Sequence, residues 1–409
     1  MVNYLNIVYV LSLYPSITET FVAREIQELV NQGNKVSLCV LRPISDKINQ
    51  EVIKVNGVDV YYFQFKFFSL LFVILKTMVF KSPIFFRSLF EAILSSIIQP
   101  KRTHHIFYFL ISSLWFSNIK IMDDAQYIHC HFLHSECITS RWISKIMSIP
   151  YGFTAHIGLT RFSDYILSKV VKDATICVGD TNESISLIKS FGRDDVHLIL
   201  NSIDPESIEF IPRKKIEFIN ILCVGSLIEL KGFHIVIKAC KKLEKQNIKF
   251  NCKIVGEGPE RSNLENLRHK YGLNDMIQLP GAMSIDGLIA EYRKASIFIM
   301  PSISSKTGRD GLPTVIIEAM FSGLPVIGTN HAAIPEIIKQ KQTGILVKPN
   351  NPTSIFNAIN LLFNNNELYS NISMNAYKKI NNERNLRNNC MLFSGVINEL
   401  ISDKRMDTI

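Results

Sequence analysis

INILCVGSLIELKGFHIVIKACKKLEKQNIKFNCKIVGEG, residues 219 to 258, reads as strand, helix, strand. INILCVG and KFNCKIVG are short apolar runs ending in glycine, and KGFHIVIKACKKLEKQ between them is patterned as a helix. Such a unit implies parallel strands joined by a right-handed crossover. The alternation continues downstream. A helix from about Pro259 to Tyr271 precedes strand IQLPG, and helix IDGLIAEYRKA precedes strand SIFIMPS. A helix over about 313 to 322 then leads to strands LPVIGT and TGILV.

The N-terminal half repeats the scheme less cleanly. Strand NIVYVLSL leads to SITETFVAREIQELVNQGNKV, where Ser16 and Glu19 fit a capping box. Val22, Ile26 and Leu29 recur at helical spacing, and Gly33 ends the helix. Strands VSLCVL, QYIHCHF (126 to 132), PYGFTAH (150 to 156), ATICVG (174 to 179) and VHLILN (196 to 201) follow. PESIEFIPRKKIEF, from Pro205, reads as a polar linker. The expectation is an α/β chain of two doubly wound, Rossmann-like domains, residues 1–205 and 206–380, with a helical tail over 381–409 that can pack back on the first domain. Two such sheets facing each other form a cleft at the carboxyl ends of their strands, where these folds bind ligands.

With 409 residues, 47% hydrophobic and 20% charged, the chain has the composition of a large buried core, which excludes a disordered protein. The net charge of +9 is compatible with nucleic acid, an anionic membrane or a phosphorylated ligand. Eight scattered cysteines without a C-x-x-C frame neither a zinc site nor a disulfide scaffold, as expected in a reducing cytoplasm. MVNYLNIVYVLSLYP lacks the basic segment and cleavage site of a signal peptide. The longest apolar candidate for a membrane span, FSLLFVILKTMVF (68 to 80), is interrupted by Lys76. Residues 61–120 carry Lys66, Lys76, Lys81, Arg87, Lys101, Arg102 and Lys120 against Glu91, among many aromatics. Three readings stay open there: an amphipathic surface on an anionic bilayer, a packed helical insert with a wet basic face, or a nucleic-acid patch.

Candidate chemistry falls on loops after strands. Gly225-Ser226 end one strand and Lys231-Gly232 open the next helix. A lysine there opposes the helix dipole unless an anion such as a phosphate sits between them, although a solvated lysine is the plain alternative. In VGEGPE, Gly256 and Gly258 would let backbone approach a ligand. In RDGLPTVIIEAM (309 to 320), Pro313 suits the first helical position and Gly323 the residue beyond the helix end. Backbone N–H groups of Gly311, Leu312 and Thr314 suit phosphate oxygens or sugar hydroxyls, and Glu318 could accept both hydroxyls of a ribose. The plain alternatives are a helix cap for Asp310 and a solvated face for Glu318. His129, His131 and His134 could in geometry ligate a metal, but Glu136 is the lone acid beside them and the chain has no D-x-D.

The run D-G-L-P-x(4)-E-A-M-x-x-G-x-P-V resembles the donor-site motif of the family 4 retaining glycosyltransferases of GT-B fold, usually E-G-x-P-x(4)-E. The resemblance continues through VGSLIELKG, VGEGPERSNL, IFIMPS and GTNHAAIPEII, nearly all of residues 218 to 350. YPSITETFVAREIQEL, IHCHF and FTAH look like exopolysaccharide, colanic-acid-type and lipopolysaccharide members. By this resemblance Glu318 binds the ribose of a UDP- or GDP-sugar, Asp310 sits by the transferred sugar, Lys231 neutralises the diphosphate, and His156 contacts the sugar. It implies retention, no metal or other cofactor, and a lipid-linked glycan acceptor. It places the protein in the cytoplasm, on the inner face of the membrane where it is peripheral, with no nucleic-acid partner. Two departures stand out: Ser226 where the family often has arginine, and Asp310 where it has glutamate. A non-catalytic nucleotide-sugar or glycan-binding protein is the chief alternative. A glycosidase would need Glu318 for acid/base work. An oxidoreductase would need a G-x-G-x-x-G turn that the first strand lacks.

Overall fold

The computed structural model describes residues 4–16, 19–43, 55–156, 162–304 and 311–406. It divides into two units. Unit 1 runs to Leu200 and takes the chain back from Leu386, while unit 2 holds Asn201–Asn385. The divisions fall five residues from the expected ones at 205/206 and 380/381.

Unit 1 comprises β1 (Asn6–Tyr14), α1 (Thr20–Asn31), β2 (Lys35–Pro43), β3 (Asp59–Tyr62), α2 (Phe67–Phe80), α3 (Ser82–Ile98) and α4 (Thr103–Phe116). These are followed by β4 (Tyr127–His131), α5 (Ser135–Met147), β5 (Tyr151–Ala155), α6 (Asp164–Asp173), β6 (Ile176–Gly179), α7 (Asn182–Ser190) and a two-residue β7 (His197–Leu198). The strands form one parallel sheet in the order 3-2-1-4-5-6-7. Successive residues of β1 point to opposite faces. Ile7, Tyr9 and Leu11 join a core with Val22, Ile26 and Leu29 of α1. Val8 and Val10 join a second core with Leu110 and Leu114 of α4 and Trp142 of α5. Burial on both faces explains why these strands read as continuous apolar runs.

Unit 2 comprises β8 (Ile219–Val224), α8 (Phe233–Lys245), β9 (Phe250–Val255), α9 (Arg261–Lys270), β10 (Ile277–Gly281), α10 (Ile285–Lys294) and β11 (Ile297–Met300). After these come α11 (Thr314–Phe321), β12 (Val326–Thr329), α12 (Ile334–Ile337), β13 (Ile345–Val347), α13 (Pro352–Asn364) and α14 (Asn366–Glu383). Its parallel sheet has the order 10-9-8-11-12-13. One face packs Ile221 and Cys223 against α8 and α13, and the other packs Leu222 and Val224 against α11. The last helix, α15 (Leu386–Met406), belongs to unit 1, where Leu386, Cys390, Phe393 and Ile397 complete the core over α1. Strand order reverses between β1 and β4 and between β8 and β11. At such switch points the loops diverge and open a crevice beyond the carboxyl ends.

Four local expectations are corrected. Glu19, not Ser16, holds the cap position of α1 and makes no side-chain cap bond, so the capping box is not formed. The last expected strand of unit 1 shrinks to His197–Leu198. The supposed linker is fastened to unit 2, because the Arg213 guanidinium donates to the carbonyls of Tyr292, Arg293 and Ala295 at 2.9, 3.2 and 3.0 Å. These are orphan acceptors at the end of α10. Residues 61–120 fold as helices whose outward face is chiefly apolar rather than basic.

Candidate functional site

In unit 2 the predicted residues collect at the carboxyl edge around the switch point. Gly225 and Ser226 follow β8, and Lys231 lies in a 3-10 turn, Glu229–Lys231, two residues before α8. It therefore does not open that helix, as the sequence implied. A Cβ built on Gly225 would lie 3.6 Å from Lys231 Cε, so the lysine stem lies against the end of β8. Gly232 has φ +65°, and a Cβ there would meet the Pro301 carbonyl oxygen at 2.2 Å. Only glycine lets the loop after β8 touch the loop after β11 across the switch point.

The other glycines serve the framework. At Gly256, φ +144°, a Cβ would lie 1.9 Å from the Gly225 carbonyl oxygen. At Gly258 it would lie 2.5 Å from that of Leu227. Their open side is filled by the loop after β8, not held open for a ligand. The Leu227 N–H donates to Glu257 O at 2.8 Å and the Glu260 N–H to Leu227 O at 2.9 Å, which binds the two loops into one rim.

Beyond β11, Gly311, Leu312 and Pro313 lead into α11; Asp310 lies outside the described residues. Pro313 takes the cap position, with ψ 114°, rather than the first helical position. The first intrahelical donor is Ile316, to Pro313 O at 3.0 Å, which puts the N–H groups of Thr314 and Val315 at the open helix end. Glu318 is no solvated residue. It is 6% exposed and accepts the Tyr292 hydroxyl at 2.9 Å. Tyr292, from α10, is a site residue that the sequence reading missed, because a tyrosine in an amphipathic helix signals only core packing.

Unit 1 places His156 at its own carboxyl edge, within a buried chain of hydrogen bonds. His156 Nδ1 lies 2.8 Å from Asp180 Oδ2, His156 Nε2 lies 3.0 Å from His131 Nδ1, and His131 Nε2 lies 3.1 Å from Glu25 Oε1. The Tyr9 hydroxyl donates to the same Glu25 oxygen at 2.6 Å. Burial pushes Glu25 up, but the His131 charge and hydrogen bond, then His129 and the Tyr9 hydroxyl, bring it down to about 2. Burial, and then the charge of His131, holds His129 well below its ordinary range. Phe132, next in the chain, has φ +67°, a left-handed conformation costing about 1–2 kcal/mol, and its ring packs 4.8 Å from that of His156. Both ring nitrogens of His156 are thus engaged within unit 1.

Glu25, His129 and His131 each bring one ligand atom within 4.8 Å of the others, the one group of this kind among the described residues. His134 is not in it, so the three histidines do not form one ligand set. Within the group a hydrogen bond joins Glu25 to His131, whose other nitrogen meets His156, so a metal would have to displace Glu25 or His156 from His131.

Residues 205–379 match the family described as Glycosyl transferases group 1. The putative colanic acid biosynthesis glycosyltransferase WcaL of Escherichia coli (strain K12) is 34% identical over 138 residues, 34% of each chain. The amylovoran biosynthesis glycosyltransferase AmsK of Erwinia amylovora is 30% identical over 155 residues, 37% of this chain and 38% of that one. The match therefore spans little more than a third of either curated relative. Among solved structures, Anabaena Alr3699/HepE in complex with UDP superposes with a TM-score of 0.70 over 97% of this chain and 100% of that one, at 14% identity. That likeness speaks for the fold alone, which is GT-B. Residues 205–379, most of unit 2, are thus similar in sequence to the glycosyl transferases group 1 family.

Proposed function

We propose that the chain is a glycosyltransferase that moves a sugar from a nucleotide-sugar donor to a growing surface polysaccharide. The observation that carries this reading is the rim at the unit 2 switch point. Lys231 lies against Gly225, the start of α11 offers N–H groups, and Glu318 is buried on the same helix, all inside the family segment. Lys231 and the helix start would bind the diphosphate and stabilise its charge as it leaves, the work a metal does in other transferases. No metal or other cofactor enters the proposal. Glu318, steadied by Tyr292, would take the ribose hydroxyls. Its burial suits a binding anchor better than a water-activating acid.

The donor is proposed as a UDP- or GDP-sugar, which the UDP bound to the structurally similar protein supports for the first of these. The relatives named for colanic acid and amylovoran support a polysaccharide product. A lipid-linked acceptor, retention of configuration and work at an anionic membrane surface complete the proposal, with His156 contacting the transferred sugar. The test is a nucleotide-release screen of UDP- and GDP-sugars against lipid-linked oligosaccharides, with the product linkage determined. Release that depends on the acceptor and yields an elongated glycan is expected. No release across the panel, with donor binding intact, would favour the non-catalytic binding protein. One observation favours that alternative: His156 reaches a sugar only by giving up His131 or Asp180.

A further inference from the structure

Helices α2 and α3 turn most of their phenylalanines outward. Phe67, Phe68, Phe72, Phe80, Phe86 and Phe90 are between 56% and 83% exposed. The inward face of α3 holds Phe85 with the small residues Ser88, Ala92, Ser95 and Ser96, and that of α2 holds Leu70, Val73 and Thr77. A helix packed in water does the reverse, whereas small residues inward and large apolar ones outward is the arrangement of helices bathed in hydrocarbon. The one acid of the pair, Glu91, turns inward to Arg141 at 2.7 Å and Lys169 at 3.4 Å. The outward charges are Lys76 and Arg87. No single helix among the described residues is long and apolar enough to cross a membrane. The pair bends by 117° at its junction, and its arms of 14 and 17 residues reach about 21 and 25 Å, short of the ~30 Å hydrocarbon layer.

Just past α3, a 3-10 turn (Pro100–Arg102) leads from the exposed Ile97 and Ile98 to a cavity of about 330 Å³. Arg42, Arg102, His104, His105 and His134 line it, and none of its lining residues is acidic. It sits between the carboxyl ends of β1 and β2 and the first turns of α4 and α5. The volume is that of a small-ligand site, and the lining is that of an anion site.

We propose that unit 1 seats an anionic lipid, its phosphate in this cavity and its hydrocarbon alongside the outward face of α2 and α3 in one leaflet of a bilayer. A free anion would account for the cavity but not for the apolar face. A second copy of the chain would account for the face but would oppose Lys76 and Arg87 with their own like charges. A lipid phosphate accounts for both. The inference rests on the lipid-linked acceptor of the proposed function. Its test omits any nucleotide sugar, so its failure leaves the donor-side reading standing.

The full chain is floated with phosphatidylcholine vesicles, with and without phosphatidic acid. The wild-type protein is expected to float with both, more tightly with phosphatidic acid, and to stay bound in high salt. Arg42→Ala/Arg102→Ala should lose about tenfold or more of the phosphatidic-acid preference. Phe68→Ser/Phe90→Ser, on exposed positions, should lose flotation on both vesicles while its circular dichroism and melting stay unchanged. Wild-type protein that fails to float, or an arginine variant with its full preference, overturns the proposal. Inorganic pyrophosphate bound as tightly as vesicle-borne phosphatidic acid would reassign the cavity to a free anion. A wild-type dimer made monomeric by Phe68→Ser/Phe90→Ser would reassign the face to self-association.

Discussion

Glu25 and Glu136 are glutamates of unit 1 whose surroundings push them in opposite directions. Glu25 is held at about 2 despite its burial, because His131 faces it. Glu136 is raised to about 8, chiefly by burial. The signs follow from linkage. A lowered Glu25 adds stability that is full above its ordinary value near 4.5 and is lost as pH falls toward 2. A raised Glu136 removes stability as pH rises from 4.5 through 8, because the folded state keeps a proton that the unfolded state releases. Urea unfolding should therefore show Glu25→Gln less stable than wild type at pH 6, with the gap closing on acidification. Glu136→Gln should lose less stability than wild type between pH 5 and pH 8, by about 1 kcal/mol or more. Parallel profiles for wild type and variants would refute these assignments. If Asp310 serves the proposed donor site, Asp310→Glu should keep substantial transferase activity and Asp310→Ala should lose most of it. Equal activity of Asp310→Ala and wild type would remove Asp310 from the proposed site.

Among the elements, the joined rim after β8 and β9 depends on backbone packed against backbone. Gly256→Ala would drive a methyl group into the Gly225 carbonyl, with its Cβ at 1.9 Å. Calorimetry should show the unit 2 transition lowered by several degrees and donor binding weakened; an unchanged transition would contradict the geometry. Gly395, in the middle of α15 with nothing within 4 Å of a built Cβ, is the counter-case. Gly395→Ala should stabilise unit 1 by about 0.5–1 kcal/mol. The strands were legible in the sequence because doubly covered parallel strands are nearly unbroken apolar runs, and the glycines after β8 and β9 marked their ends. What Gly256 and Gly258 face was not legible, since their partners are the carbonyls of Gly225 and Leu227, each 31 residues back in the chain. The same holds for Arg213, whose acceptors lie 79 to 82 residues on, and for His131 with Glu25, 106 residues apart. The basic and aromatic character of residues 61–120 was plain. Which side of each helix faced outward was not, because large apolar residues lie on both faces of α2 and α3.

For the whole molecule, the chain returns to unit 1 after completing unit 2. Leu386, Cys390, Phe393 and Ile397 of α15 are buried in the core over α1. A chain ending at Asn385 should keep unit 2 folded and leave unit 1 less stable by several kcal/mol, since each large apolar side chain removed contributes about 1.5–3 kcal/mol. Limited proteolysis should then cut unit 1 first; equal resistance of both units would contradict the assignment of α15. The central claim is that unit 2 binds a nucleotide sugar through Glu318, as an anchor rather than as an acid or base. Titration calorimetry of a donor identified by the release screen, with wild type and Glu318→Ala at equal folded content, tests it most directly. The account predicts that Glu318→Ala loses donor binding itself, by about tenfold or more for two charge-assisted hydrogen bonds. Donor binding equal to wild type, with turnover alone reduced, would contradict it.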